Sequence, residues 1–250
     1  MKLTVLGSSG AWPERGRACS GYLLESGGVR LVLDLGFGTL PRLLEQCPAS
    51  AVQAVFISHA HADHCVDLFG LFRARTLPDP PFPALPVYAM PDVLERVGGL
   101  DGERGPARLR RELEFHPTGP GQSFDVGPFR VRTFVLPHFI PNLGVRVEAE
   151  GKVVAYTGDT GPTDRIVDLA QGVDLFVCEA THQGVPPAAG ERFLLSASEA
   201  GRYARAASAR RLLLTHFLPG DSREVSRTEA RQEFDGKLLV AEEALTLSLE

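Results

Sequence analysis

The sequence predicts an α/β fold, on three observations. Strand-like apolar runs alternate with helix-like segments through both halves of the chain. The 250 residues, 44% of them hydrophobic, suffice to bury a substantial core. The residues best suited to chemistry stand directly after predicted strands, where α/β proteins place their sites.

Residues 2–6 (KLTVL) read as a strand that stops at Gly7, and 21–26 and 29–34 as two strands around Gly27-Gly28, a hairpin signal. Gly36-Phe37-Gly38 then turns into a helix over 39–46, with Thr39 as N-cap and Pro41 in the first turn. Residues 52–57 (VQAVFI) have strand length and β-rich composition, and a helix follows over about 66–76. Five prolines between 78 and 86 make a rigid loop. Residues 86–90 read as a strand and 92–97 as a short helix. The Gly-rich, charged stretch 98–108 reads as a mobile loop. Strands follow at 129–136, 143–149 and 152–157, then a helix near 163–171 and a strand at 173–178. Ser196 and Glu199 form a capping box that opens a helix over 196–208. A strand at 210–215, a helix near 221–233 and closing strands at 238–240 and 245–249 complete the chain. No stretch of linker composition interrupts it, so residues 1–250 read as a single domain of two similar halves.

The net charge of −5, from 26 Lys+Arg against 31 Asp+Glu, argues against a broadly basic nucleic-acid binder. No apolar run reaches membrane-spanning length, and the first residues read as a strand, not a signal peptide. Cys19, Cys47, Cys65 and Cys178 are scattered without a CxxC pair, which points away from a disulfide framework and toward the cytoplasm.

The stretch Ser58-His59-Ala60-His61-Ala62-Asp63-His64-Cys65 gathers three of the seven histidines into six residues. Imidazole is the commonest metal ligand. His138, Asp159 and His216 each follow a predicted strand, as the cluster itself does. His59 and His61 are two apart, whereas Asp63 and His64 are adjacent and their side chains diverge. The first pair, with His138, therefore suits one metal, and the second pair, with His216, suits another. Asp159 is the natural bridge, because a carboxylate has two oxygens. Nitrogen and carboxylate donors without thiolate suit two divalent ions, Zn²⁺ first, with Mn²⁺ or Fe²⁺ as alternatives. Two such ions about 3.5 Å apart acidify a bridging water and clamp an in-line displacement. Cys65 is read as packing beneath the second site.

This set resembles the metallo-β-lactamase superfamily. The H-x-H-x-D-H motif stands as His59, His61, Asp63 and His64, followed by His138, Gly158-Asp159-Thr160 and Thr215-His216-Phe217. LTVLGSSGAWP and LVLDLGFGT resemble the family's first strand and glycine turn, with Asp34 at the place of a carboxylate that steadies a ligand from behind. The resemblance implies a four-layer αβ/βα sandwich. Cys178-Glu179-Ala180-Thr181, Ser196-Ala197-Ser198-Glu199-Ala200 and LLLTHF resemble the ribonuclease Z branch in particular. Two departures matter. Ribonuclease Z inserts a long basic tRNA-gripping arm between the positions of His138 and Asp159, which here are only 21 apart. It also carries a His where this chain has Leu194, and leucine cannot donate a proton.

The expected function is therefore a dinuclear metal-dependent hydrolase. Its expected substrate is a small phosphodiester, cyclic forms included, attacked by a metal-bridging hydroxide, and tRNA is not expected as a substrate. The alternatives are a carbonyl-ester hydrolase (lactonase or thioesterase), a ribonuclease Z-like nuclease and a non-catalytic metal-binding protein. Asp63 is assigned to orient or deprotonate the nucleophile, and His182 to protonate the leaving group. Phe37, Phe139 and Phe217 are candidate pocket linings, with the 78–86 and 98–106 segments as walls. Proteins of this kind are commonly homodimers.

Overall fold

The computed structural model describes residues 1–184 and 192–249. The first half of the chain builds one mixed sheet. β1 (Lys2–Gly7), β2 (Gly21–Ser26) and β3 (Val29–Leu35) form an antiparallel meander. Gly27 and Gly28 turn between the last two at positive φ, where a side chain would be strained. The chain continues through α1 (Thr39–Gln46), β4 (Ala54–Phe56), α2 (Ala62–Cys65), α3 (Asp67–Thr76), β5 (Pro86–Ala89), α4 (Pro91–Gly98), α5 (Gly105–Glu112) and β6 (Glu114–Pro117). β3, β4, β5 and β6 run parallel.

The second half mirrors this arrangement. β7 (Ser123–Val126), β8 (Phe129–Leu136), β9 (Asn142–Ala149) and β10 (Lys152–Tyr156) are antiparallel. α6 (Arg165–Ala170), β11 (Leu175–Glu179), α7 (Ala197–Ala206), β12 (Arg211–Thr215), α8 (Arg223–Glu233) and β13 (Lys237–Val240) add parallel strands to β10. β14 (Thr246–Ser248) returns to pair with β1. Among the described residues each sheet has seven strands, ordered β14-β1-β2-β3-β4-β5-β6 and β13-β12-β11-β10-β9-β8-β7.

Burial sets the layers. One apolar cluster, with Leu24, Leu33, Phe56, Phe129, Val145, Tyr156 and Leu213, lies between the sheets. A second joins the outer face of the first sheet to Leu43 of α1, Phe72 of α3, Val93 of α4 and Leu109 of α5. A third joins the outer face of the second sheet to Leu169 of α6, Ala200 of α7 and Ala230 of α8. The result is a helix–sheet–sheet–helix sandwich, the four-layer αβ/βα architecture expected. Each fully buried Leu or Phe contributes about 1.5–3 kcal/mol.

Three expectations need correction. The 98–108 stretch is not a loop: a 3₁₀ turn at Gly99–Asp101 leads into α5, which opens with Pro106 near its start and buries Leu109. Neither β6 nor β7 was expected. Thr39 is not the N-cap of α1; Gly38 holds that position at φ 80°. Thr39 Oγ1 instead donates to the Gly36 carbonyl, and the Leu40 amide donates to Asp67 Oδ2 from α3. The Ser196–Glu199 capping box forms as expected.

The parallel strands direct their C-terminal ends to one edge of the sandwich. β3 leads to Asp34, β4 to His59, β8 to His138, β10 to Asp159 and β12 to His216. Cross-links between the sheets hold this edge: the Leu143 amide donates to the Ser58 carbonyl, and Tyr22 Oη lies 2.5 Å from Thr215 Oγ1.

Candidate metal centre

All seven residues expected as metal ligands converge here, in two groups of four that share Asp159. His59, His61, His138 and Asp159 make the first group, and Asp63, His64, Asp159 and His216 the second. Within each, the donor atoms lie within 4.8 Å of one another. Asp159 Oδ2 faces the first group, 3.8 Å from His59 Nε2 and 3.6 Å from His138 Nε2. Its Oδ1 faces the second, 3.2 Å from both His64 Nε2 and His216 Nε2. A carboxylate placed in this way can serve both positions at once.

The local backbone explains the division. His59 and His61 sit on the segment leaving β4, either side of a bend at Ala60. The chain then closes into the single turn α2, which brings Asp63 and His64 round to the other position. Asp34 and His216 both stand at φ 59°, a left-handed conformation uncommon for residues other than glycine. Such strain is tolerated where the surrounding structure over-determines it.

Each histidine that presents Nε2 has its Nδ1 fixed from behind. His138 Nδ1 donates to the Phe193 carbonyl at 2.9 Å, so its Nε2 carries a lone pair. His64 Nδ1 donates to Asp34 Oδ2 at 2.8 Å. Ser58 gives its hydroxyl proton to Asp34 Oδ2 at 2.7 Å, so His59 Nδ1 is the donor to Ser58 Oγ at 3.0 Å. Asp34 therefore orients His64 directly and His59 through Ser58, and Tyr156 Oη also donates to it at 2.6 Å. Thr181 Oγ1 donates to Glu179 Oε2 at 2.5 Å and accepts from His216 Nδ1 at 2.8 Å. His61 differs: its Nδ1 points inward, 3.1 Å from His59 Nε2 and 3.0 Å from His138 Nε2. Outer contacts of this kind set tautomer and orientation in metal sites.

These donors fit cations. Three imidazole nitrogens approach within about 3 Å, and one His61 proton can satisfy only one of its two neighbours. His64 Nε2 and Asp159 Oδ1 are buried without a hydrogen-bond partner among the described residues, although they lie 3.2 Å apart. Their contact is close but misaligned for a shared proton. Buried polar atoms left in this state cost free energy, and a cation between them removes that cost.

Electrostatics separate the two groups. Burial holds His59, His61 and His138 below the ordinary imidazole range, and neighbouring imidazoles add to the effect, so these rings are neutral and ready to ligate. Burial opposes protonation of His64 and His216 too, but Asp159 and Asp63 outweigh it and both rings titrate above the ordinary range. Burial likewise opposes ionisation of Asp63 and Asp159, yet the facing imidazoles hold both carboxyls below the usual carboxylate range. Glu179 is the exception: burial, reinforced by the Asp159 charge, pushes it up to about 8.

Among the remaining expected residues, His182 is exposed. Its backbone bridges to Ser196, and it is not one of the clustered donors. Cys65 is buried in apolar surroundings, with its thiol pushed up to about 12 by burial. Phe217 is buried in the core, whereas Phe37 and Phe139 are exposed. Sequence reasoning missed Tyr156, Ser58, Thr181 and the Phe193 carbonyl. Thr181 carried a signal, since it ends the Glu179-Ala180-Thr181 stretch directly after β11.

A family model described as a Beta-lactamase superfamily domain matches residues 29–217. An uncharacterised protein of Mycobacterium tuberculosis is 37% identical over 243 residues, spanning 94% of this chain and 88% of that one. The "Probable metallo-hydrolase YhfI" of Bacillus subtilis is 29% identical over 248 residues, covering 96% and 97% of the two chains. The crystal structure of YhfI superposes with a TM-score of 0.86 over 98% of each chain, at 28% identity. A ribonuclease Z of Haloferax volcanii is 26% identical across 100% of this chain and 95% of its own.

Proposed function

The chain belongs to the beta-lactamase superfamily of metal-dependent hydrolases, and from that premise we propose that it hydrolyses a small phosphodiester. The observation that carries the reading is the position of Asp159, with one oxygen toward each donor group. Two cations held in that way suit an in-line displacement at phosphorus, where both the entering and the leaving oxygen need stabilising. The full-length likeness to a ribonuclease Z supports phosphorus over carbon as the reacting centre.

The segment between His138 and Asp159 supports a small substrate. β9 and β10 form a tight hairpin there, turning at Glu150 (φ 53°) and Gly151 (φ 69°), both left-handed. No arm emerges from it. The alignment with the Haloferax ribonuclease Z runs over 303 positions against 250 in this chain, so that relative carries segments without a counterpart here. A small phosphodiester, cyclic forms included, fits a site without an extended gripping surface.

His59, His61, His138 and Asp159 would hold one ion, and Asp63, His64, Asp159 and His216 the other. When bound, divalent cations of the zinc type supply Lewis-acid polarisation of the scissile group and acidify water for attack. The chain's own residues do the rest. The Ala11 amide donates to Asp63 Oδ2 at 2.8 Å and fixes the carboxylate, which orients the attacking water and accepts its proton. With Leu194 unable to supply a proton to the leaving group, His182 takes that task.

The test is a panel of bis-p-nitrophenyl phosphate, cyclic nucleotides, lactones and thioesters, assayed with metal-loaded and chelated protein. Chelator-sensitive turnover of phosphodiesters, lost in Asp63→Asn, is the expected result. Turnover confined to lactones or thioesters would move the chemistry to carbon and overturn the reading.

A further inference from the structure

We infer that Trp12 and Phe139 form the two walls of a slot for a planar nucleobase, so that the phosphodiester this centre takes is a nucleotide. The inference rests on the phosphodiesterase reading and deepens it.

Among the described residues, Trp12 and Phe139 are the two aromatic side chains more than half exposed, at 53% and 63%. Phe139 directly follows a residue of the first donor group, and Trp12 directly follows the turn that touches the second. Phe139 follows His138, with ring centroids 5.1 Å apart, and rests against Phe193 at 4.6 Å. The Phe193 carbonyl in turn holds His138 Nδ1. This aromatic pair therefore borders the first donor group.

The turn leading into Trp12 borders the second. The turn that carries it lies directly on the ligands: a Cβ at Gly10 would fall 2.6 Å from His216 Cε1, so only glycine fits there. Ala11 stands at φ 61° and donates its amide to Asp63 Oδ2. The Trp12 amide closes the turn onto the Gly10 carbonyl at 2.7 Å. A strained backbone turn held against the donor cluster is characteristic of functional sites. Exposed aromatic faces bordering a phosphodiester centre suit a flat π-system, and stacking on such faces is the usual way a protein holds a base.

Trp12 is also the chain's single tryptophan, so its emission reports this slot without interference. The experiment titrates zinc-loaded protein with adenosine 5′-monophosphate and, separately, with ribose 5-phosphate. Saturable quenching by the nucleotide and none by the sugar phosphate is expected. Phe139→Ala, read by fluorescence, and Trp12→Ala, read by calorimetry, should each weaken nucleotide binding by about tenfold more than sugar-phosphate binding. Because both side chains are mostly exposed, neither truncation disturbs the core.

Equal affinity of wild-type protein for the two ligands, or equal losses in the variants, would overturn the slot. Turnover separates this failure from that of the underlying reading. Hydrolysis of base-bearing and base-free cyclic phosphates at equal kcat/KM removes the slot and leaves the phosphodiesterase. Hydrolysis of neither, with turnover of a lactone, removes the phosphodiesterase itself. Selective quenching by the nucleotide would even then establish the slot as a base-binding site.

Discussion

Asp34 Oδ2 accepts a hydrogen bond from His64 Nδ1 at 2.8 Å, and this contact turns His64 Nε2 toward the shared carboxylate of Asp159. The same oxygen also receives the hydroxyls of Ser58 and Tyr156, and Asp34 is fully buried. One carboxylate thus sets the direction of a ligand in each donor group.

Asp34→Asn should weaken divalent-ion affinity about 10- to 100-fold, the usual scale for losing a partner behind a ligating histidine. Tyr156→Phe, which removes one of several donors to the same oxygen, should have a smaller effect. Competition against a chromophoric chelator measures both. Wild-type affinity in Asp34→Asn would show that the ligands hold their orientation without it.

Glu179 gives a pH signature. Its pKa rises from the ordinary 4.5 to about 8, with burial as the main cause and Asp159 second. Between those values the unfolded chain has released the proton and the folded chain still binds it. Stability of the metal-free protein should therefore fall as pH rises through this window, through this group alone. Glu179→Gln removes that contribution, so the difference between wild type and variant in urea melts should change steadily from about pH 4.5 to 8. A pH-independent difference would mean that Glu179 is ionised in the folded protein.

The clustering of the seven donors was legible because these residues are chemically rare and stand at strand ends. Four of the seven lie within six residues, and the others follow strands long enough to recognise. The order of elements was legible for the same reason, since β-rich runs such as FRVRTFVL and RRLLLT are unambiguous. Short elements were not. β6 is four residues ending at Pro117, with no alternating pattern, and α5 begins at Gly105-Pro106 in a stretch whose composition reads as loop. The groups behind the ligands were mostly illegible, because Tyr156 meets Asp34 across 122 residues and Phe193 meets His138 across 55. Those pairings come from tertiary packing, between the sheets for Tyr156 and from a loop for Phe193, which local pattern does not encode.

His182 is tested by leaving-group dependence. His182→Ala should slow an alkyl phosphodiester by about 10²-fold, the scale of general-acid loss, and hardly change a p-nitrophenyl ester. The ring is exposed, so its truncation leaves the core intact. Small, equal effects on both substrates would assign it to the loop and the proton to solvent.

Precursor tRNA should be a poor substrate. Phosphate contacts dominate such affinity, and the β9–β10 hairpin offers no arm to make them. A labelled precursor incubated with zinc-loaded protein should remain largely uncut. Efficient cleavage at the 3′ processing site would contradict the small-substrate assignment.

The central claim is a pair of cation sites joined through Asp159, and ion stoichiometry tests it most directly. Protein reconstituted with excess zinc and desalted should carry two ions per chain by elemental analysis. Anomalous scattering should place one in each donor group. Asp159→Ala should retain fewer than one, because both groups lose a ligand together. A single ion at saturation in the wild-type protein, or two ions undisturbed in Asp159→Ala, would contradict the account.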